Sequence, residues 1–480
     1  MKVIKLAEIT RDDIHETNAT QSAAALWSGA TAYVVGDRVR RDGEVNAVFE
    51  CILDHTNQIP EDTVAPASPA YWVRVSATNP YRAFDQRIDQ PAVGLATIMQ
   101  YRIKAPSTIS GLALFGARAG TVKVRAYDPD VARINLASWS EKMDEHTLDG
   151  VTAGKVNTPG FDDTYAISAL VETATSGPHA LEAEGNHSFV SGTEYTVSVR
   201  LKEFTGTRRV SLELPPDAFT TTSGRGPRAR VNLQTGTIEA TENCTAGLVV
   251  EENGYGRLWV RATAIASLSR PAAYILMING TSAAYAGSIS NSVLVGGLQL
   301  NAGPLADYQW IADPGENEWG NIVYDEERIT SLDVPYFDTE YLFLNMPALT
   351  GWYVVVTMLA VAPSVGEIAM GEVFTLGTSI VPLEHAFYDY STIERDTFGN
   401  VNIVERSYAQ DVKFNFFFPV ANRKTITRIL GDLRAKPAVW LHEAPSGRND
   451  AIVYGHAIAS PIFETTADVA TMSIEAKGWV

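Results

Sequence analysis

Tyr195-Thr-Val-Ser-Val-Arg-Leu-Lys202 alternates without a break: Tyr195, Val197, Val199 and Leu201 share one face, Thr196, Ser198 and Arg200 the other. A two-residue repeat belongs to an extended chain, so the stretch reads as a strand with one face for a core. Thr121 to Tyr127 repeats the pattern, with Val122, Val124 and Ala126 opposite Lys123 and Arg125. So does Val210, Leu212 and Leu214 interleaved with Arg209, Ser211 and Glu213. Gly, Pro, Asn and Asp punctuate such runs, and regular helix is scarce. The expectation is a mainly β, multi-domain chain of β-sandwich or jelly-roll type, with a small N-terminal β module and a C-terminal α+β unit.

The α+β unit is read from the last seventy or so residues. Ile426, Ile429, Leu430 and Leu433 recur at helical spacing and predict one amphipathic helix over 421–435. Before it, Phe414, Phe416 and Phe418 line one strand face. After it come Pro437-Ala-Val-Trp440-Leu441 and a strand alternating Ala470, Met472, Ile474 and Ala476 with Ser473, Glu475 and Lys477.

At 480 residues the chain has room for about three domains, each able to bury its own core. A formal net charge of −18 argues against nucleic acid as a partner, because phosphate binding needs a basic surface. It leaves a neutral sugar open as a ligand. No apolar run approaches the ~20 residues of a membrane span, so no membrane insertion is expected. Met1-Lys-Val-Ile-Lys-Leu-Ala-Glu lacks the apolar core of a secretory signal and reads as a first strand. The two cysteines, Cys51 and Cys244, fall in different expected domains and suggest buried thiols in a reducing compartment.

One short block points at a ligand. It contains Trp27, Tyr33-Val-Val-Gly36-Asp37-Arg-Val39, Phe49-Glu-Cys51, His55-Thr56 and Tyr71-Trp72. It resembles small chitin-binding modules of the CBM5/12 kind, which implies a carbohydrate-binding surface built from Trp27, Tyr33, Tyr71 and Trp72. Aromatic rings bind sugars by lying against the apolar face of a pyranose. The alternative is that a module of ~50 residues uses those rings as its core, having little else to bury.

Further along run Asn79-Pro-Tyr81-Arg-Ala-Phe84-Asp85, Ile109-Ser-Gly-Leu112-Ala-Leu114-Phe115-Gly116 and Val122 to Asp128. This looks like the opening of a family of bacteriophage tail proteins, siphophage-like tail tip or baseplate components. Gly366-Glu367-Ile368 to Gly377, Asp389-Tyr390-Ser391 and Phe398-Gly399 resemble its continuation. Between them, Asn135-Leu-Ala-Ser-Trp139, Gly254-Tyr255-Gly-Arg257-Leu-Trp259-Val-Arg261 and Gly297-Leu-Gln299 to Pro304 are similar to the jelly-roll carbohydrate-binding modules of phage proteins. The usual Trp-Tyr/Trp-Arg block is replaced there by Gly254-Tyr255-Gly256-Arg257 before Trp259. Val323-Tyr324-Asp325 echoes Arg125-Ala-Tyr127-Asp128, so the jelly roll reads as inserted into a loop of an outer sandwich.

The expected divisions are an N-terminal strand or arm (1–23), the small β module (24–78), an outer sandwich (79–134 plus 313–405), the inserted jelly roll (135–312) and the α+β attachment unit (406–480). The resemblance implies a structural virion protein, assembled in the host cytoplasm. It would attach to other tail and baseplate proteins, form a symmetric homo-oligomeric ring and present domains to host cell-surface glycan. A purely structural adapter and a polysaccharide depolymerase are the rival readings.

In the jelly roll, Trp259 and Arg261 fall opposite Leu258 and Val260. If the aliphatic face is core, Trp259 and Tyr255 are available to a sugar; the reverse assignment buries Trp259. No catalytic or metal-ligating residues are assigned and no cofactor is expected. The eight histidines lack a zinc spacing, with His179 and His187 the nearest pair. Asp128-Pro-Asp130 and Asp162-Asp163 read as solvated turns rather than calcium loops. No nucleophile elbow, phosphate-binding loop or H-E-x-x-H occurs. Paired carboxylates, which need only proximity in space, keep the depolymerase reading open.

Overall fold

The structure is a computed structural model. It describes residues 1–43, 45–94, 97–128, 131–161, 167–220, 225–251, 253–313, 318–329, 339–348, 350–395, 401–405, 408–442, 451–459 and 462–479. The chain is mainly β, and Arg423–Asp432 is the longest helix among the described residues. It divides into two compact units: Met1–Leu95, Tyr101–Val124 and Glu326–Val480 form the first, and Ala96–Gln100 with Arg125–Asp325 the second.

The second unit is a jelly-roll-like sandwich of two six-stranded antiparallel sheets. One runs in the order Thr147–Asp149, Ala180–Glu182, Tyr274–Ile278, Arg209–Glu213, Arg228–Asn232, Thr237–Glu242. The other runs Val151–Lys155, Ser168–Glu172, Ser292–Ala302, Glu194–Thr205, Gly256–Thr263, Thr245–Val250. Tyr195, Val197, Val199 and Leu201 enter the core as their alternation requires, against Val210, Leu212, Ala229, Val231, Ile275 and Met277 of the facing sheet. This buried cluster draws its members from Ala137 to Leu300. The opposite face departs from expectation, because Thr196, Ser198 and Arg200 are buried too.

The first unit is organised by a ten-stranded sheet. From one edge its order is Thr339–Phe343, Gly111–Ala117, Glu367–Thr375, Lys2–Leu6, Ala438–His442, Ala451–Ala459, Val469–Gly478, Tyr408–Pro419 and Thr378–Asp389, with Phe463–Glu464 paired to Val469–Gly478. The N-terminal strand is thus no peripheral arm. It pairs Val3 with Phe374 on one side and Trp440 on the other. Adjacent residues of a strand point to opposite faces. Val3 therefore joins a cluster with Phe414, Phe416, Trp440 and Ile474, while Ile4 joins Phe115, Val439 and Tyr454 on the other face. Both residues are wholly buried, which places the strand in the sheet interior. The residues expected as an independent α+β unit share this sheet with Gly111–Ala117 and Glu367–Thr375, so no boundary near residue 406 separates them.

The helix matches its predicted stripe: Ile426, Ile429 and Leu433 are buried over Phe414, Phe416 and Phe418, with Leu430 at the margin. Cys51 is buried, Cys244 half-buried, and both are free thiols.

The small N-terminal sheet has the order Ala25–Leu26, Arg38–Arg41, Ala47–Cys51, Trp72–Ala77. Beside it lies the short pair Ala32–Tyr33 with His55–Thr56.

Candidate functional site

The four aromatic candidates of the small module separate by burial. Trp72 is wholly enclosed and donates its indole N–H to Gln58 O at 2.9 Å. Its ring meets Tyr33 at 5.1 Å and His55 at 4.8 Å, both edge-on. Tyr33 is buried as well; its hydroxyl accepts from Ser28 N at 2.8 Å. With Val39, Ala47, Phe49 and Cys51 these two rings are the core of the module. A ring enclosed on both faces offers no platform to a sugar, so burial takes Tyr33 and Trp72 out of the candidate surface. The physical reason is size: the interior of a module of ~50 residues is small, and a few large rings fill most of it.

Tyr71 and Trp27 remain half-buried at the margin of that cluster. Tyr71 stands edge-on to His55 at 5.2 Å, and burial lowers the pKa of that imidazole. Arg41 lies over the Trp27 ring with its guanidinium carbon 5.0 Å from the centroid. The same guanidinium reaches Glu61 at 2.7 Å. A depression of about 440 Å³ adjoins it, lined by Arg41, Asp42, Val45, Ile59, Glu61 and Asp62.

In the sandwich, Leu258 and Val260 are core and Trp259 lies on the outer face, so the aliphatic assignment holds. Trp259 pairs across the strands with Gly247 and Ser198. Its indole lies directly over Gly247: a Cβ placed there would come within 2.6 Å of Nε1. The absence of a side chain at Gly247 lets the ring lie flat along the sheet. Arg261 stands 5.7 Å from the ring centroid.

Tyr255 takes the other fate. It is buried, donates to Pro159 O at 3.1 Å and packs near Phe161 in a second cluster with Ile167, Ala169 and Leu294. That cluster covers one end of the outer face. Beside it the Arg200 guanidinium is held between the rings of Phe161 at 4.1 Å and Tyr308 at 4.8 Å, with both Glu251 carboxylate oxygens at 3.0 Å from Nε. Arg257 donates to Ser198 Oγ and to Ala306 O. Burial, with Arg200 close by, lowers its pKa to about 10. Gln299 donates to Asp307 O at 3.0 Å and accepts from Gln309 N at 2.9 Å. The polar outer face thus spends its hydrogen bonds on its own chain, which explains the burial of Thr196, Ser198 and Arg200. Sequence reading missed this network. Its available signal was Gln299 and Asn301 at alternate positions of an otherwise apolar strand.

Two further polar clusters bear on chemistry. In the sandwich, Glu172 is fully buried and bonds to Arg208 Nε at 2.5 Å, the Tyr285 hydroxyl at 2.6 Å and Ser288 N at 2.8 Å. Burial alone would raise its carboxyl, but these donors together hold it below the usual range. In the first unit, Glu367 is buried and accepts from Gln86 N at 3.0 Å. Burial pushes Glu367 well above the carboxylate range and raises Asp85 to about 6. Glu367 is 4% exposed and Asp85 half-buried, so only one of the two carboxyls meets solvent.

His179 stacks on Tyr285 at 4.5 Å and His187 packs against Phe189 at 4.8 Å, each within aromatic surroundings. Among the described residues no group of three His, Cys, Asp or Glu side chains is placed to hold a metal ion. Apart from Asp128, the acidic pairs weighed for calcium lie outside the described residues. Comparison with known proteins matches no family model and no curated sequence.

Proposed function

We propose that this chain is a structural protein of the distal bacteriophage tail, seated among tail or baseplate subunits and presenting a glycan-contacting β domain to the host surface. The order of tail-protein-like segments along the sequence supports the setting. The observation that carries the glycan contact is the flat, half-buried indole of Trp259 over Gly247, with the Arg261 guanidinium over the ring at 5.7 Å from its centroid. A ring floor flanked by a hydrogen-bond donor is the arrangement that recognises a pyranose: stacking on the apolar face and donation to the hydroxyls. Trp27 under Arg41 is a lesser version of the same pairing. One such site binds weakly, and repeated copies in a ring supply the avidity.

The purely structural adapter is the second reading, and the burial of Tyr33, Trp72 and Tyr255 favours it over a many-ringed sugar site. The test of the setting is gold-labelled antibody against the chain on purified particles. Label at the distal tail tip is the expected result. A chain absent from particles, recovered only as a free protein, would overturn the proposal.

A further inference from the structure

The outermost strand of the ten-stranded sheet, Thr378–Asp389, has no strand on its outer edge among the described residues. From Glu384 to Asp389 it is exposed on both faces, paired only with Tyr408–Lys413. Just beyond it, Thr392–Arg395 and Val401–Val404 form a two-stranded hairpin in which Ile393 lies opposite Ile403. Such a hairpin is marginal alone in water and needs a cover for its apolar face. Phe387, Tyr388, Tyr390, Ile393, Ile403 and Tyr408 are each 50–67% exposed. With ~150–250 Å² for a free aromatic side chain, they present on the order of 700 Å², close to the ~800 Å² per partner of a stable interface.

We propose that this ribbon is a two-fold contact between copies of this chain, made by antiparallel pairing of the two Glu384–Asp389 edges about Phe387. In that register Phe387 faces Phe387, Ala386 faces Tyr388 and His385 faces Asp389 on either side of the axis. Small meets large, and an imidazole meets a carboxylate. The Nδ1 of His385 is engaged by Gln410 at 3.0 Å, which turns Nε2 outward. Pro382, on the same strand, lacks an amide hydrogen and stops the pairing from extending toward Thr378. The contact is isologous, the same patch on both copies, and so differs from the head-to-tail contacts that close a ring. It rests on the assembly part of the proposal above and is independent of sugar binding.

Sedimentation of the full chain should show a dimer that Phe387→Glu converts to a monomer that still unfolds cooperatively, since the side chain is 67% exposed. Mixing Phe387→Glu with Phe387→Lys should restore the dimer. Opposed residues of antiparallel strands have Cα atoms ~4.5–5.5 Å apart, within disulfide reach, so oxidised Phe387→Cys should link two copies. Tyr388→Cys, which faces Ala386, should not, nor should the unsubstituted chain. A monomeric wild type, or a dimer indifferent to Phe387→Glu and unlinked by Phe387→Cys, would overturn the pairing. Capture of a different tail protein by the ribbon in place of a second copy would overturn it too, while leaving the distal-tail proposal standing.

Discussion

The small N-terminal module and the sandwich both carry aromatic residues proposed for sugar contact, yet they use their rings in different ways. The module fills its interior with Tyr33, Phe49 and Trp72 and leaves Leu26, Val34, Val35, Ile52 and Leu53 exposed. The sandwich fills its interior mainly with Val, Leu and Ile alternating along long strands, joined by Phe189, Tyr195 and Phe219, and keeps Trp259 on the outside. An aromatic residue is therefore free for recognition only where something else already excludes water.

Substitutions sharpen that contrast. Trp72→Ala should cost about 3–5 kcal/mol, roughly all the stability a core of this size supplies, and abolish cooperative folding of the module. Loss of amide-exchange protection confined to 25–77 checks it, and retained protection would make Trp72 peripheral. Arg208→Met should destabilise the sandwich by about 3 kcal/mol, because it leaves the buried Glu172 carboxylate without its cation. Urea unfolding measures it, and a change under ~1 kcal/mol would mean the remaining donors suffice.

The two units should also respond to pH with opposite sign. Glu172 is held below its ordinary value of 4.5 in the folded chain, so its contribution is full above 4.5 and is lost as pH falls from there through the lower folded value. Asp85 is raised from 3.8 to about 6 by burial, so its contribution is complete at low pH and is lost as pH rises through 6. Asp85→Asn should accordingly raise the melting temperature at pH 7.5 and leave it unchanged at pH 4, with a slope of at most ~1.4 kcal/mol per pH unit removed. Calorimetry at the two pH values decides, and equal shifts at both would exclude titration as the cause. The smallest effect belongs to Trp259→Ala: being half-exposed, it should change stability by less than ~1 kcal/mol.

Local periodicity made much of this legible. The strand faces at Tyr195–Leu201 and Val210–Leu214, the phenylalanine row at 414–418 and the helix stripe from Ile426 to Leu433 all follow from spacing alone. What was not legible depends on pairing between distant segments. Val3 and Ile4 read as an ordinary start, and nothing local says that Phe374 and Trp440 will flank them. The continuity of that sheet erases the boundary near residue 406 that the strand–helix–strand pattern of the last seventy or so residues suggested. At the candidate site, alternation set Trp259 opposite Leu258 and Val260 but left open which of the two faces is core. The burial of Tyr255 did not, because Pro159 and Phe161, almost a hundred positions away, produce it.

The division of labour between core and surface rings is tested most directly by titrating the intact chain with host surface polysaccharide, alongside Trp259→Ala, Gly247→Ala and Tyr71→Ala. The account predicts that Trp259→Ala abolishes binding with the fold intact. Gly247→Ala, by lifting the indole off the sheet, should weaken it by a factor of ten or so, about 1.4 kcal/mol. Binding that survives Trp259→Ala and vanishes with Tyr71→Ala would contradict it.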